Sequence, residues 1–258
     1  YEELGDQFQL MNVLRFGSLP KILSLEDEDK KDYLRSYIEN YFKEEIVAEQ
    51  IVRNLRPFKN FLHVAAQMNG KISSYSTIAT DVGVAQTTVQ NYFEILEDTL
   101  VGFLLEPFHL SVRKRQRSAC KFYYFDLGVC RALRRQIDIP MQVTSDEYGD
   151  AFEHFCILEI KRLLSYRRPD WQLSYLRTKD DAEIDLILER PGQKTALIEF
   201  KSTAKTSNLD PKKINAYVNL TQAIPNSVAY LFSNDTIEKK HENVLFLPWQ
   251  QMFSILGL

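Results

Sequence analysis

The sequence predicts a multidomain protein of mixed α+β and α/β class, with a helical N-terminal segment and an α/β domain at its C-terminal end. Two patterns support this fold class. Apolar side chains recur at helical spacing between residues 29 and 53. Residues 183–188 and 196–201 instead alternate polar and apolar side chains, which is the period of a half-buried strand. A length of 258 residues accommodates two or three domains.

Composition and charge narrow the class of protein. Hydrophobic residues make up 45% of the chain and charged residues 26%, as in an ordinary globular protein. The net charge of −3 gives no overall attraction to nucleic acid, but residues 107–140 hold 8 Lys/Arg and only 2 Asp/Glu. The three cysteines form no CxxC pair, which argues against a zinc site and favours a reducing cytoplasm. The sequence has neither a signal peptide nor an apolar run that could span a bilayer, so no membrane partner is expected.

Residues 1–56 are predicted to form the first domain, a helical segment. Leu34, Tyr37 and Ile38 lie on the apolar face of its main helix. Pro20 favours a turn ahead of that helix. These residues by themselves indicate a helical packing unit and no particular chemistry.

Residues 57–139 are predicted to form the second domain, a winged helix-turn-helix. An apolar first helix is followed by Ser74, which is placed to cap a second helix. Gly83 then permits the tight turn that leads into a third helix at residues 86–98. Two apolar strands follow, at residues 102–105 and 121–125.

The third helix and the loop between the two strands are predicted to bind nucleic acid. Gln and Asn side chains can bond adenine edges in the major groove, and the polar face of this helix offers Gln86, Thr87, Gln90 and Asn91. The loop would be the wing, and its basic residues, which would neutralise phosphates, are Arg113, Lys114, Arg115 and Arg117. A winged helix can instead dock a protein, and a charged loop can be merely solvated. The concentration of basic residues beside a polar helix face favours DNA as the partner.

Residues 140–258 are predicted to form the third domain, with the element order α-β-β-β-α-β-β-α. A helix at residues 147–168 opens the domain, and a helix that starts at Pro211 follows the third strand. The strands are predicted at residues 172–177, 183–188, 196–201, 228–232 and 244–247. A closing helix is predicted at residues 249–255. The passage from the third strand through the Pro211 helix would be a β-α-β crossover.

The second and third strands of this domain are predicted to pair as a hairpin around Gly192. Asp185 then lies directly opposite Glu199, and Glu183 lies opposite Lys201. Opposed side chains have Cβ atoms about 4.5–5.5 Å apart, a separation at which like charges are unfavourable. A divalent cation between Asp185 and Glu199 would remove that penalty, because Mg²⁺ or Mn²⁺ takes carboxylate oxygen ligands.

A third carboxylate, Glu153, lies on the apolar face of the first helix of this domain and would need a partner near the sheet. We therefore interpret Glu153, Asp185 and Glu199 as metal ligands and, together with Lys201, as the catalytic residues of a phosphodiester hydrolase. The metal would activate a water. Lys201 would orient that water or stabilise developing negative charge. The other interpretation is that these residues form the solvated face of a hairpin.

Glu153, Asp185 and the segment Glu199-Phe200-Lys201 resemble the signature of the PD-(D/E)xK nuclease superfamily, which has a restriction-endonuclease-like α/β fold. Over nearly its whole length, the chain is also similar to the C-terminal part of a prokaryotic family of AAA+ ATPases with a C-terminal domain of uncharacterised function. The segments that carry this second resemblance are Gly17-Ser18-Leu19-Pro20 and residues 121–128, 149–153, 175–178, 183–185 and 198–202.

The resemblance implies an ATP-binding domain upstream. This chain opens at Tyr1 and lacks a GxxxxGK[ST] phosphate loop, so we expect a piece of a longer protein that binds ATP only through that missing domain. The resemblance also implies homo-oligomers formed through the ATPase domain. The chain departs from the family pattern at Ser18, where a second glycine is usual, and at Phe200, where valine is commoner.

Three functions are consistent with these residues. The leading interpretation is the DNA-binding, Mg²⁺-dependent, nuclease-like region of a AAA+ ATPase. The alternative is a non-catalytic nucleic-acid or protein-binding module that regulates or targets the ATPase, because one fold can serve unrelated functions. The third is an oligomerisation or regulatory domain of that ATPase.

Overall fold

The computed structural model describes residue 1 and residues 3–41, 55–72, 74–108, 119–179 and 182–258. The protein is of mixed α/β class, with a helical N-terminal part and a sheet in its C-terminal part. The N-terminal unit comprises Tyr1–Leu104 and Ala119–Val143, and the C-terminal unit comprises Leu105–Ser118 and Thr144–Leu258. No helix within the described ranges is long and apolar enough to cross a membrane.

Helices make up most of the N-terminal unit. Its elements are short 3-10 helices at Gly5–Gln7 and Pro20–Ser24, α1 (Leu10–Phe16), α2 (Asp27–Tyr41), α3 (Leu55–Gln67), α4 (Tyr75–Val82), α5 (Gln86–Asp98), β1 (Gly102–Leu105), β2 (Lys121–Tyr124) and α6 (Leu127–Leu133). The helix predicted at residues 29–53 is described as α2 up to Tyr41, and its predicted remainder, residues 42–53, lies outside the described ranges. The predicted third helix coincides with α5, and the two predicted strands match β1 and β2 to within one residue.

An aromatic cluster forms the core of this unit. The apolar spacing of α3 turns Phe58 and Phe61 inwards, and both are buried. Phe61 packs edge-to-face on Phe93 of α5 with ring centroids 4.8 Å apart, and Phe58 packs in the same way on Tyr92 at 4.9 Å. Each such pair adds about 0.5–1.5 kcal/mol beyond the area that it buries. The cluster therefore holds α3 against α5.

The junction between α4 and α5 follows the predicted order, with one correction. Helix α4 ends at Gly83, as expected. Ser74 lies at the N-cap position of α4, but its side chain caps no backbone amide. Its hydroxyl instead lies 2.6 Å from Ser76 Oγ, so local hydroxyl pairing replaces the predicted cap.

Asp126 joins two distant parts of the N-terminal unit. Its Oδ1 accepts a hydrogen bond from Val129 N at 3.0 Å and so caps α6, while its Oδ2 accepts one from Ser18 N at 2.7 Å. Two of the segments that carry the resemblance to the ATPase family, residues 17–20 and 121–128, thus meet at one hydrogen-bonded joint. We call this contact the Asp126 joint.

The C-terminal unit is built on a six-stranded mixed sheet. Its elements are α7 (Asp146–Arg167), β3 (Gln172–Arg177), β4 (Glu183–Glu189), β5 (Thr195–Lys201), a 3-10 helix at Thr206–Asn208, α8 (Pro211–Gln222), β6 (Ser227–Ser233), β7 (Lys239–His241), β8 (Val244–Pro248), a 3-10 helix at Trp249–Gln251 and α9 (Met252–Leu256). The strand order is β3-β4-β5-β6-β8-β7. The predicted element order is present, with β7 as an additional short edge strand.

The sheet changes from antiparallel to parallel at β5. Strands β3, β4 and β5 are antiparallel neighbours, whereas β5, β6 and β8 run parallel and β7 returns antiparallel to β8. Helix α8 connects β5 to the parallel strand β6, as the predicted crossover requires. Open α/β sheets bind their ligands beyond the carboxyl ends of parallel strands, so the end of β5 is a natural place for a site.

Strands β4 and β5 are more buried than their alternating pattern predicts. Residues 184–188 are all buried, and residues 196–198 are buried as well. The prediction of half-buried strands was wrong here because both strands lie inside the sheet, with α7 packed against β5 and α8 against β6. The carboxylates of these strands consequently lie in a largely desolvated environment.

Candidate active site

The pairing of β4 with β5 determines where the candidate catalytic residues Asp185 and Glu199 lie. The paired residues are Leu186 with Ile198, Ile187 with Leu197, and Leu188 with Ala196. This is the register predicted from the sequence. Asp185 and Glu199 are the next residues along the two strands, just beyond the last of these pairs.

A β-bulge reshapes β4 next to this position. Against β3, Ser174 pairs with Ile187 but Leu176 pairs with Ile184, so β4 advances one residue further than β3 between the two pairs. The extra residue falls at positions 185–186. Ile184 and Ile187 consequently pack in one apolar cluster, which corrects the strict alternation predicted for this strand. Bulges re-aim side chains and are frequent next to active sites.

Asp185 is buried, with 6% of its surface exposed, and holds the two strands together through its side chain. Its Oδ2 accepts a hydrogen bond from Phe200 N at 2.8 Å. The Asp185 side chain of β4 thus accepts a hydrogen bond from a backbone amide of β5 that lies beyond the last paired residues of the two strands. This bond holds the Asp185 side chain at the end of β5.

Glu199 and Lys201 form an ion pair on β5 through Glu199 Oε1. The Glu199 side chain is only 12% exposed and that of Lys201 is 33% exposed. The other oxygen, Glu199 Oε2, is buried and has no hydrogen-bond partner among the described residues. An unpaired buried carboxylate oxygen costs free energy, so it points to a ligand or a proton at this position.

The ladder of β4 with β5 ends before it reaches the predicted pair of Glu183 with Lys201. Glu183, predicted to lie opposite Lys201, pairs with Arg177 in the ladder between β3 and β4. Lys201 contacts Glu199, two residues earlier on its own strand. The pairs of β4 with β5 end at Leu186 and Ile198, so the position of Glu183 opposite Lys201 stays a prediction.

The pKa values of this ion pair record the electrostatics of the site. Burial raises the pKa of Glu199 to about 8, and the negative charge of Asp185 adds to the rise, while Lys201 opposes it. Burial alone would lower the pKa of Lys201, but the charges of Glu199 and Asp185 outweigh burial and raise it above its ordinary value. Lys201 is therefore charged at neutral pH, and Glu199 holds its proton more tightly than an ordinary glutamate.

We expect the C-terminal unit to lose stability as the pH rises from 4.5 to about 8 in metal-free buffer. The folded state keeps the Glu199 proton up to about pH 8, whereas the unfolded chain releases it near the ordinary value of 4.5. The folded state thus binds more protons in this window, and the free energy of unfolding falls by at most about 1.4 kcal/mol per pH unit. Thermal melting followed by tryptophan fluorescence measures this, because Trp171 and Trp249 both lie in the C-terminal unit.

Two variants serve as comparisons for this pH dependence. Glu199→Gln should flatten the profile because it removes the titrating group. Glu238→Gln, at an exposed position of the same unit, should retain the wild-type slope. Equal slopes in the wild type and in Glu199→Gln would contradict the raised pKa.

Glu153 contributes to the site through its charge. It is half-buried on α7, and its negative charge adds to the rise in the pKa of Glu199, less strongly than Asp185 does. Burial raises the pKa of the Cys156 thiol one turn further along, with the negative charges of Glu159, Glu153 and Asp185 acting in the same direction. Helix α7 thus brings a third acidic group close enough to influence the pKa of Glu199.

Tyr217 borders the site and was not anticipated from the sequence. Its hydroxyl lies 3.0 Å from the carbonyl oxygen of Leu197 and 2.9 Å from that of Tyr230. Burial, followed by the charges of Glu199 and Asp185, raises the pKa of this phenol well above its ordinary value. In the sequence, Tyr217 is indistinguishable from the other apolar residues of α8, so no pattern could have identified it.

A second unanticipated residue, Asn234, lies at the end of β6. Asn234 Nδ2 donates to the carbonyl of Ser202 at 2.9 Å and to Tyr148 Oη at 3.2 Å. These bonds connect the ends of β5 and β6 with the first turn of α7. A Cβ placed on Gly149 would lie 3.7 Å from Ser202 Oγ, so segments 149–153 and 198–202 approach each other closely.

The predicted cation would have two carboxylate ligands at this site. Within the described part of the chain, no three His, Cys, Asp or Glu side chains are grouped so that they could hold a metal ion together. Glu199 Oε2 is nevertheless buried without a hydrogen-bond partner among the described residues, and the charge of Asp185 is close enough to raise the pKa of Glu199. Two carboxylates fit Mg²⁺, which usually keeps several waters and takes one or two protein carboxylates. Glu153 as a third ligand stays a prediction.

The predicted nucleic-acid contacts divide into two sets. Gln86, Thr87 and Asn91 are exposed on α5, and Gln90 is partly exposed, while Val89 on the opposite face is buried. The helix therefore presents the polar face that the prediction assigns to it. The four basic residues of the predicted wing, Arg113, Lys114, Arg115 and Arg117, lie outside the described residues.

Comparisons with known proteins give two family matches and several relatives. Residues 7–139 match a family described as a domain of unknown function, DUF8612, and residues 148–252 match a second domain of unknown function, DUF4143. The uncharacterized protein Rv2008c of Mycobacterium tuberculosis is 28% identical over 194 residues, which cover 75% of this chain and 43% of the relative. The uncharacterized protein MJ1637 of Methanocaldococcus jannaschii is 24% identical over 241 residues, which cover 92% of this chain and 47% of the relative. The chain thus spans less than half the length of these curated relatives.

A solved structure of a half-complex of Thermococcus gammatolerans McrB AAA+ hexamers with bound McrC matches 75% of this chain and 45% of that chain, at 12% identity and a TM-score of 0.29. A similarity this weak supports no conclusion about fold or function. The first family match, in contrast, covers more than half of the 258 residues. The protein therefore belongs to the DUF8612 family of domains of unknown function.

Proposed function

We propose that the C-terminal unit is a Mg²⁺-dependent, nuclease-like domain of the PD-(D/E)xK type that hydrolyses phosphodiester bonds in DNA. The observation that carries this proposal is the buried neighbourhood of Asp185 and Glu199, with the unpartnered Oε2 of Glu199. Two adjacent buried carboxylates are costly in a sheet that serves stability alone. A divalent cation offsets that cost, which supports a metal-dependent function.

Each residue has a distinct part in the proposed hydrolysis. Mg²⁺, when bound, would lower the pKa of a water and offset negative charge on the phosphate. Asp185 and Glu199 would hold the cation, and the amide of Phe200 keeps the Asp185 carboxylate in place. Lys201, which is charged at neutral pH, donates hydrogen bonds to a phosphate oxygen as negative charge develops there. The negative charge of Glu153 would add to the electrostatic attraction of the cation.

Calorimetric titration of Mg²⁺ and Mn²⁺ into the chain, with plasmid nicking measured in the same buffers, tests this function. We expect a saturable heat and nicking that requires the same ion. Absence of both would reject the nuclease proposal. Metal binding without nicking would retain the ion site and reject the hydrolysis.

The N-terminal unit is proposed to be a winged helix that binds duplex DNA. The exposed polar face of α5 supports this role, because a recognition helix presents such residues to base edges. The two strands β1 and β2, which follow α5, support it as well, because a wing lies between such strands.

Replacing the four basic wing residues by Ala is expected to weaken DNA binding about 10-fold or more. Each lost phosphate contact lowers the slope of log affinity against log salt by about 0.9. Fluorescence anisotropy with labelled duplex at two salt concentrations measures both quantities. A charge-keeping variant, with Lys at positions 113, 115 and 117, should bind nearly as well as the wild type. Unchanged affinity and slope in the Ala variant would refute the wing.

The whole protein is proposed to be a cytoplasmic AAA+ ATPase that oligomerises through its ATPase domain, with this chain as its C-terminal region. The segments that resemble that ATPase family support the proposal, and two of them meet at the Asp126 joint. The competing function is a non-catalytic binding module that regulates or targets the ATPase. It is favoured by the absence of a three-residue metal cluster among the described residues. DNA binding without any metal-dependent heat would decide for that module.

A further inference from the structure

We propose that residues 106–108 form a strap that holds the candidate ligand Asp185 in position from the outer edge of β3. The strap belongs to the C-terminal unit, which includes Leu105–Ser118. This inference deepens the proposed function and rests on it, because it concerns how one of the two proposed metal ligands is held. Phe108 and Tyr175 are the positioning residues, and they act on the site through Asp185.

Tyr175 of β3 lies opposite the bulge that brings Asp185 to the site. The pairs on either side of the bulge leave the single residue Tyr175 opposite two residues of β4, Asp185 and Leu186. A bulge leaves its extra residue outside the regular ladder and disrupts the pairing locally. The backbone around Asp185 is therefore a part of β4 that needs support from the strand beside it.

The strap binds the backbone of Tyr175 on the edge that faces away from β4. Pro107 forms a parallel bridge with Tyr175. The N–H of Tyr175 donates to the carbonyl of Glu106 at 3.0 Å, and the N–H of Phe108 donates to the carbonyl of Tyr175 at 2.6 Å. The bonds of such a bridge come from the residues before and after Pro107, so its missing N–H leaves no bond unmade. Both backbone polar groups of Tyr175 are thus engaged by the strap.

The side chain of Phe108 adds a second contact. It is half-buried and packs against the apolar cluster that includes Ile184 and Ile187 of β4. These two isoleucines flank the bulge, since Ile184 directly precedes Asp185 and Ile187 directly follows Leu186. The strap therefore supports the backbone opposite the bulge and packs on the cluster that contains the residues at both of its ends.

Asp185 extends this chain of contacts to β5. Its Oδ2 accepts the hydrogen bond from Phe200 N at 2.8 Å, and Phe200 lies between Glu199 and Lys201. The contacts thus run from the strap through Tyr175 and the bulge to the strand that carries the other proposed ligand. Residues that orient a metal ligand typically contribute about 10- to 100-fold to metal affinity or activity. Loosening the strap should therefore weaken metal binding without removing a ligand.

Covering the edge of the sheet is the other explanation for the strap, because β3 is an edge strand of the six-stranded sheet. That role accounts for a proline beside β3. A cover would, however, pair along much of this six-residue strand. The described bridge instead consists of one pair, and that pair is centred on the residue opposite the bulge. Its position favours support of Asp185.

Substitutions at Phe108 in the full chain separate the part played by its ring from that of its amide. Phe108→Ala removes the ring and keeps the N–H, whereas Phe108→Pro also removes the hydrogen bond to Tyr175. Phe108→Leu keeps the apolar bulk and should behave as the wild type. Ile214→Ala is the matched control, because Ile214 packs against the same apolar cluster but lines a cleft with Phe246 of β8, three strands away from β4.

Amide hydrogen exchange of the metal-free protein, followed residue by residue by NMR, is the first measurement. The Tyr175 amide reports on the strap because it donates to Glu106, and the Phe200 amide reports on Asp185 because it donates to that carboxylate. In Phe108→Pro we expect both amides to exchange about 10-fold faster than in Ile214→Ala, a factor typical of one lost hydrogen bond. Phe108→Ala should show a smaller change in the same direction. Calorimetry should show about 10-fold weaker Mg²⁺ binding in Phe108→Pro.

The outcomes separate this inference from the nuclease proposal. A wild type without Mg²⁺ heat or nicking would reject the nuclease, and the Phe200 amide would still decide on the strap. Faster exchange at Tyr175 with the control rate at Phe200 would overturn the inference, because release of the strap would not reach Asp185. Control rates at both amides, or a Mg²⁺ affinity equal to that of Ile214→Ala, would overturn it as well. If Phe108→Pro does not fold, Phe108→Ala and Phe108→Leu decide by the same two amides.

Discussion

Asp185→Asn is expected to abolish the Mg²⁺ heat and to reduce metal-dependent nicking at least about 100-fold. Loss of an outer-shell partner lowers metal affinity or activity by up to about 100-fold. Loss of a direct ligand should lower them at least as much. The substitution removes the charge but preserves the shape of the side chain. The Asn carbonyl can still accept the hydrogen bond from Phe200 N, so the junction of β4 with β5 should persist. Calorimetry and plasmid nicking measure the two effects.

The fold of this variant can be checked independently. Removing one of two neighbouring negative charges lowers the pKa of Glu199 towards its ordinary value. The melting temperature of the C-terminal unit, read from its two tryptophans, should therefore be equal to or higher than that of the wild type in metal-free buffer. Asp170→Asn, at an exposed position of the same unit, is the matched control and should keep both heat and nicking. Full nicking activity in Asp185→Asn would reject the site assignment.

Gly128→Ala is expected to destabilise the N-terminal unit by about 3 kcal/mol, the upper end of the cost of overpacking. An added Cβ at this position would lie 2.0 Å from the carbonyl oxygen of Phe16 and 2.4 Å from its carbonyl carbon. Both are backbone atoms, so α6 and the end of α1 would have to separate. That movement would also strain the Asp126 joint, since Ser18 follows two residues after Phe16.

The effect of Gly128→Ala should be confined to the N-terminal unit. Far-UV circular dichroism should show a transition lowered by roughly 10 °C. The tryptophan fluorescence transition should not move, because both tryptophans lie in the C-terminal unit. Gly149→Ala in α7 is the matched control, since the nearest atom to an added Cβ is 3.7 Å away. That substitution should be neutral or stabilising by up to about 1 kcal/mol. An unchanged circular dichroism transition in Gly128→Ala would contradict the close approach of α1 and α6.

Local sequence signals predict the order and the bounds of most described elements. Helical spacing identified α3, α5 and α7, and Pro211 marked the first turn of α8, because these signals are local and depend on a few neighbouring residues. The same is true of the register of β4 with β5. Only one parity of pairing puts the apolar residues of both strands on a shared face, so the ladder follows from the pattern itself.

The details of the candidate site depend on contacts between segments that are distant in the chain. The bulge at residues 185–186 arises from simultaneous pairing of β4 with β3 and β5, and no pattern within β4 reveals it. The burial that raises the pKa of Glu199 depends on elements far along the chain, and so do the contact of Lys201 with Glu199 and the position of Tyr217. Local propensity specifies elements, whereas desolvation and charge proximity arise only when distant segments pack together.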